Sequence, residues 1–291
     1  MMARFGVFIF WLIHFLPFRL IVAIGNGLGV VLYLLAKDRR KVGMINLKLC
    51  FPLMSDTERE QLVRAHFKMF CRGLIERSIL WWGSASRING LIRIEGIEHF
   101  NAIKDKPSIL LTPHFVGMDI GGQWIAQLTN TVCMYANQKN KYLTKLLLEK
   151  RGRFGSQLLF SRQEGLRPII KGMRKGMPLI YPPDQDQEIK DGAFIPFFGI
   201  PAATMTSVPR IAQMTGAKVV ASIIRLLPGS EGYVLTFYPA WENYPSGDDI
   251  VDARRMNEFI EQRILEMPEQ YFWLHKRFKT RPEGEASFYQ S

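Results

Sequence analysis

The sequence predicts an α/β fold, a mixed sheet flanked by helices, preceded by an N-terminal membrane-anchoring helix. Three observations carry this. From about residue 91 onward, short apolar runs alternate with stretches of helical spacing, the pattern of a largely parallel or mixed sheet covered by helices. Ahead of them, Arg19 is the only formal charge between Phe5 and Ala36. No internal repeat, low-complexity tract or long linker divides the 291 residues, of which 47% are hydrophobic and 22% charged. That length suits one large domain or two small ones.

The first element is the anchor. Leu20 to Ala36 is an apolar run of 17 residues, about 26 Å as a helix, slightly short of a bilayer core. Lys37-Asp38-Arg39-Arg40-Lys41 follows at once, and the positive-inside rule places the remaining chain in the cytoplasm. A cleaved signal peptide is the alternative, but the apolar run continues well past Ala23-Ile24-Gly25. Residues 1–36 are therefore expected to anchor the chain, spanning the membrane or lying in its interface. Residues 37–90 read as a helical head. There Ser55 and Glu58 form a capping box ahead of apolar positions at helical spacing. Trp81-Trp82 closes the head, at lipid headgroup level or in a core.

Residues 91–291 read as the α/β core. Strands are expected at 91–95, 108–112, 131–135, 178–181, 193–196, 217–224 and 232–237, and helices near 118–129, 139–150, 165–175, 206–215 and 248–266. The net charge of +12 and pI of about 9.7 point to an anionic partner: nucleic acid, anionic lipid or an acidic protein. Cys50, Cys71 and Cys133 are widely spaced and read as reduced thiols.

The candidate chemistry begins at "TPHFVGMDIGG", residues 112–122. The stretch follows an apolar strand and enters a helix, where α/β sheets place their sites. His114 and Asp119 are five positions apart. In one continuous helix they could not meet, but a turn through Phe115-Val116-Gly117 could fold the imidazole back so that Asp119 fixes its tautomer and leaves the other nitrogen as a base. A solvated turn histidine beside a capping aspartate is the other possibility. Downstream, Lys139, Lys141, Lys145, Arg151 and Arg153 form a basic helix ending in Arg-Gly-Arg, suited to phosphate through guanidinium forks or simply a solvated basic face. A strand then runs into Pro182-Pro183, Asp184-x-Asp186 and the apolar loop Phe197-Phe198-Gly199. The two aspartates read as a carboxylate pair or as loop-forming acceptors of backbone amides.

These segments resemble the late acyltransferases of bacterial lipid A biosynthesis, within the lysophospholipid acyltransferase group and its His-x4-Asp/Glu motif. The likeness runs over nearly the whole chain: the apolar N-terminus, "HFVGMD", "RGRFG", "YPPDQD" with "GAFIPFFG", and the terminal "WLHKRFKTRPEGE". The His-x4-Asp motif is weak alone; the last two segments are specific. Asp119 stands where these enzymes often carry Glu, and "VVASIIR" at 219–225 lacks an expected proline. The resemblance implies a glycerol-3-phosphate acyltransferase-like fold. It implies transfer of a fatty acyl group from acyl carrier protein to a hydroxyl of a lipid A precursor, on the cytoplasmic side of the inner membrane and in contact with its anionic lipids. His114 would be the base and Asp119 its orienter, with Arg151, Arg153, Asp184, Asp186, Phe197 and Phe198 around the substrate. No cofactor or metal is implied, and no protein serine is required, because the acceptor hydroxyl is itself the nucleophile.

Other acceptors, a lysophospholipid or another glycolipid, fit the same motifs. A nucleic-acid binder would also be basic, but no nucleic-acid motif is present and the anchor is hard to reconcile with one. A hydrolase would need G-x-S-x-G or another convincing nucleophile. His275 and the tail cations Lys276, Arg277, Lys279 and Arg281 read as surface or lipid-headgroup contacts.

Overall fold

The computed structural model describes residues 2–290 except 136–139, 156, 162–163, 187 and 190–191; Lys139 lies outside the described residues. Four helices come first: α1 (Met2–Ile13), α2 (Phe18–Leu35), α3 (Lys37–Cys50) and α4 (Asp56–Trp82). The short α5 (Ala85–Asn89) leads to β1 (Ile92–Glu95), α6 (Ile97–Asn101), β2 (Ser108–Leu111), α7 (Met118–Ile125) and β3 (Thr131–Tyr135). Next come α8 (Lys141–Arg151), β4 (Gln157–Ser161), α9 (Arg167–Met173) and β5 (Leu179–Tyr181). β6 (Gly192–Phe197), β7 (Ile200–Met205), α10 (Ser207–Thr215), β8 (Lys218–Leu226), β9 (Tyr233–Phe237) and α11 (Asp249–Glu266) complete the chain ahead of an irregular tail.

The alternation predicts the sheet correctly. Seven strands lie in the order β1-β9-β8-β2-β5-β3-β4. The neighbours run parallel except for the β8–β9 pair, which is antiparallel. β2 is buried at every position, as a central parallel strand covered on both faces must be. One apolar cluster, with Ile109, Leu111, Val219 and Phe67, fills one face of the sheet, and a second, with Leu110, Val220, Ile120 and Leu235, fills the other. Two strands had no counterpart among the expected ones. β4 is an edge strand, partly exposed along its whole length, so it shows no alternation. β7 pairs with β6 in a separate hairpin where Pro196 faces Pro201, and proline and alanine carry little strand signal.

Ser55 and Glu58 form the expected capping box at the start of α4, with both reciprocal bonds present. This helix is enclosed on several sides, which is why its apolar spacing is blurred. It buries Arg72 and Glu76 as an i,i+4 pair at 2.6 Å, and the Arg72 guanidinium also reaches the Leu227 carbonyl at 2.8 Å.

The N-terminus differs from a detachable anchor. α2 is long and apolar enough to cross a membrane, yet one face packs along α4, and Ile21 and Tyr33 enter the two cores. Two glycines make the approach possible. A Cβ at Gly25 would stand 2.5 Å from the Arg72 Cα, and one at Gly29 would stand 2.5 Å from the Lys68 Cα. The boundary at residue 36 therefore runs through a packed interface. The other face stays apolar and exposed, with Leu20, Val31, Leu34 and Leu35 on α2 and Phe5, Phe8 and Phe15 on or just past α1.

This packing makes a prediction. Gly25→Leu should destabilise the protein by about 1–3 kcal/mol or more through overpacking. Gly27→Ala, where an added Cβ meets nothing within 4 Å, should hold or raise Tm because alanine favours the helix. Thermal unfolding of the purified full chain checks both. Equal tolerance of the two would mean that α2 is not seated on α4.

Candidate active site

The site forms where β2 and β5 end. These strands are parallel neighbours with Leu111 opposite Tyr181, and the Thr112 N–H still donates to the Tyr181 carbonyl at 3.0 Å. Prolines then stop the ladder on both sides, Pro113 on one and Pro182-Pro183 on the other. Three residues beyond the paired Leu111 and Tyr181 stand His114 and Asp184.

They meet there. His114 Nδ1 lies 2.7 Å from Asp184 Oδ1, and the His114 backbone N–H donates to Asp184 Oδ2 at 2.9 Å. Asp184 is buried. Burial alone would raise its pKa, but the His114 ring and these hydrogen bonds hold the carboxyl below the usual range. The tail keeps the histidine loop in place. Phe272 N–H donates to the His114 carbonyl at 3.0 Å, Val116 N–H donates to the Gln270 carbonyl at 2.9 Å, and Phe115 bridges to Tyr271.

This corrects the expected orienter. Asp119 sits in the first turn of α7 and does not hydrogen-bond the ring. It pairs instead with Arg77 of α4 at 2.5 Å and Arg151 of α8 at 3.1 Å. Burial opposes its ionisation, but the two guanidiniums, with His114 nearby, bring its pKa down to about 2. Arg151 thus lies at the site, as expected, and Arg77 joins it unforeseen. The only sequence signal for Arg77 is the row Phe70, Gly73, Leu74, Arg77 on one face of α4.

Two cavities meet at His114, Met118 and Asp119. The larger, about 190 Å³, is walled by residues including Leu80, Trp81, Met134 and Leu147, with Arg151 beside the aspartate. The smaller, about 110 Å³, is walled by Phe70, Leu74 and Phe272, with Arg77 beside it. The histidine therefore faces two compartments, each with a cation at its edge.

The remaining expected residues fall elsewhere. The Arg153 fork is occupied by the Leu80 and Gly83 carbonyls at 2.8 and 2.7 Å, capping the end of α4. Asp186 binds the tail, accepting from Thr280 N–H at 2.7 Å and the Thr280 hydroxyl at 2.8 Å, so the amide-accepting alternative holds for it. Phe197 is fully buried against Tyr271 and Phe278. Phe198 packs on Phe51 and Phe197, and neither ring borders the two cavities. His275 is no surface contact: its Nε2 accepts the Asp186 N–H at 3.0 Å, and burial with Arg277 nearby lowers its pKa to about 4. Arg277 is buried, donating to the Ala203 carbonyl and Thr204 hydroxyl, and Arg281 donates to the Pro201 carbonyl. Two of the four tail cations thus hold the fold.

If Asp184 fixes the imidazole, the His114 Nδ1 proton should give a low-field NMR resonance that Asp184→Asn removes and Asp119→Asn keeps. The opposite pattern would return the orienting role to Asp119.

With this geometry in place, relatives can be compared. A model of the bacterial lipid A biosynthesis acyltransferases matches residues 1–280. The lipid A biosynthesis lauroyltransferase of Escherichia coli (strain K12) is 34% identical over 287 residues, covering 98% of this chain and 93% of that one. The palmitoleoyltransferase of the same organism is 30% identical over 288 residues with the same coverages. Its myristoyltransferase is 31% identical over 263 residues, covering 88% of this chain and 80% of that one. The crystal structure of the 1-acyl-sn-glycerophosphate acyltransferase of Thermotoga maritima aligns with a TM-score of 0.41 at 16% identity, over 85% of this chain and 96% of that one. That likeness is too loose to bear on the assignment. The family model and the full-length relatives do bear on it: the chain belongs to the bacterial lipid A biosynthesis acyltransferases.

Proposed function

We propose that the protein transfers a fatty acyl group from acyl carrier protein to a hydroxyl of a lipid A precursor, with direct attack by that hydroxyl. The observation that carries this reading is the His114–Asp184 pair at the junction of two cavities. A transfer between two substrates needs one base that both can reach. Asp184 accepts the Nδ1 proton and leaves Nε2 free to take the acceptor's proton. The acceptor oxygen then bonds to the thioester carbonyl carbon, and negative charge develops on the carbonyl oxygen. Collapse breaks the carbon–sulfur bond, and the proton held by His114 goes to the departing thiolate. Arg77 and Arg151 place two guanidiniums on Asp119 beside this centre, a local excess of positive charge at that carboxylate favourable for a phosphate or a developing oxyanion. The chemistry asks for no cofactor.

The apolar outer faces of α1 and α2 fit attachment to the inner membrane from its cytoplasmic side, lying in the interface rather than spanning it. Trp81, a wall of the larger cavity, packs edge-on against Phe10 of α1 with centroids 5.3 Å apart. A lipid substrate held at that surface would enter beside the cavity. The exposed cations just after α2, Lys37, Arg39 and Lys41, fit anionic lipids.

The test is a purified assay with lauroyl-acyl carrier protein and a tetra-acylated lipid A precursor, read by mass spectrometry. Wild type should add one acyl chain, and His114→Ala should lower the rate about 10²- to 10⁴-fold, the usual worth of a general base. Transfer to lysophosphatidic acid in preference to the lipid A precursor would overturn the acceptor. Full activity in His114→Ala would overturn the base.

A second expected outcome concerns the membrane. Replacing Phe5, Phe8 and Phe15 together by serine should reduce sedimentation with phosphatidylglycerol vesicles, and raised salt should weaken the remainder. Undiminished sedimentation at both salt concentrations would mean that another surface holds the lipid.

A further inference from the structure

α7 carries a glycine that the fold does not require. Gly122 lies inside the helix, where glycine is unfavourable relative to alanine. Neighbouring glycines have packing reasons: a Cβ at Gly121 would press on Leu235 at 3.3 Å, and one at Gly73 would stand 2.5 Å from Val116 Cγ1. At Gly122 an added Cβ meets nothing within 4 Å. Its backbone needs no positive φ either. What the missing side chain leaves is space: Gly122 is part of the wall of the larger cavity and also of a small pocket of about 10 Å³ against Ile224 and Leu235.

The position within that cavity is informative. Gly122 is three residues past Asp119 and four past Met118, so all three share one helix face. The cavity thus begins at the His114–Asp119 end and continues about 4.5 Å further along α7 to Gly122. Its apolar walls include Leu147 of α8, Met134 of β3 and Ile180 of β5. Its charged groups are already engaged, Asp119 with Arg151, and the Gln123 amide N–H donates to the Lys150 carbonyl at 2.9 Å, while Gln123 Oε1 has no partner among the described residues. The lining mixes this apolar wall with the neutral side chains of Tyr135 and Gln157 and carries no unpaired charge among the described residues. A sugar or phosphate would lose its water there without replacement, whereas an alkyl chain would gain.

We infer that Gly122 sets how far the donor's acyl chain reaches into the larger cavity, and so determines which chain length is transferred. The inference rests on the acyl-transfer reading above and names the occupant of one of its two compartments. The donor chain has to be measured from its thioester carbon, which lies at His114, and the larger cavity starts there and runs inward against the sheet. Each methylene that reaches apolar wall contributes about fourfold in affinity. A side chain at position 122 that displaces two or three methylenes should therefore change selectivity by about tenfold or more.

The experiment compares wild type, Gly122→Ala and Gly122→Leu as purified full-length proteins. Lauroyl- and palmitoyl-acyl carrier protein are the donors, with one lipid A precursor as acceptor. The ratio of kcat/KM for lauroyl over palmitoyl should rise about tenfold or more in Gly122→Leu, and less but in the same direction in Gly122→Ala. Tm should stay level or rise in Gly122→Ala, which separates selectivity from damage. An unchanged ratio, with both donors slowed equally, would overturn the inference and give the cavity to the acceptor. A binding readout stands apart from transfer: non-hydrolysable lauroyl and palmitoyl thioether analogues should both raise the Tm of wild type, and Gly122→Leu should lose the palmitoyl shift first. If wild type transfers neither chain but this pattern appears, the cavity assignment stands and the reaction reading falls. If transfer is normal and no analogue shift changes in the variant, the reverse holds.

Discussion

The parallel pairing of β2 with β5 is the constraint on which the site depends. Their register places Leu111 opposite Tyr181, and a proline on each strand ends the ladder before the chain can diverge. Histidine and aspartate then stand at equivalent distances beyond a fixed point, 70 residues apart in sequence and 2.7 Å apart in space. A slip of one residue would turn the side chains to opposite faces of the sheet. The buried, near-featureless apolar strands around the site are therefore part of its precision. The C-terminal tail adds the outer clamp: Gln270 and Phe272 bond the histidine loop, and Asp186 bonds Thr280 further along the same tail.

Much of this was legible in the sequence, and the part that was not has a common cause. The strand–helix alternation, the capping box at Ser55 and the placing of His114 at a strand's carboxyl end all depend on local pattern, and they hold. Asp119 was matched to His114 because the two are close in sequence. The partner that meets the ring, Asp184, is close only through a strand pairing that no local pattern encodes. Arg153 and the tail cations show a second limit. A guanidinium that caps carbonyls at a helix end looks, in sequence, the same as one waiting for phosphate. Arg59, Arg72 and Arg277 are buried, so a net charge of +12 overstates the surface available to anionic partners.

The N-terminal helices show how one segment can serve both solvent and core. α2 is apolar all round, which a hydropathy profile reads as a membrane span. Its glycine face instead lets the backbone approach α4 closely, where a larger side chain would collide with α4's own backbone. The remaining face stays apolar and exposed. α2 is thereby packed on the helix that carries Arg77 and, through Trp81, one wall of the larger cavity.

The cavity's electrostatics also bear on the order of bond making. Its lining contains one side chain that could act as a nucleophile, Cys133. Burial pushes that thiol up to about 11, more than the nearby Arg151 can pull it down, so near neutral pH it carries its proton and is a poor nucleophile. The two carboxylates, by contrast, stay ionised by separate means: Asp184 through the histidine ring and the histidine backbone N–H, Asp119 through two guanidiniums. One carboxylate is matched to an imidazole that gains a proton during the proposed reaction. The other is overmatched by cations that neither gain nor lose one. The first arrangement favours proton transfer and the second favours negative charge at a fixed place. With the thiol silent, the two together favour direct attack by the acceptor hydroxyl over an acyl-enzyme route.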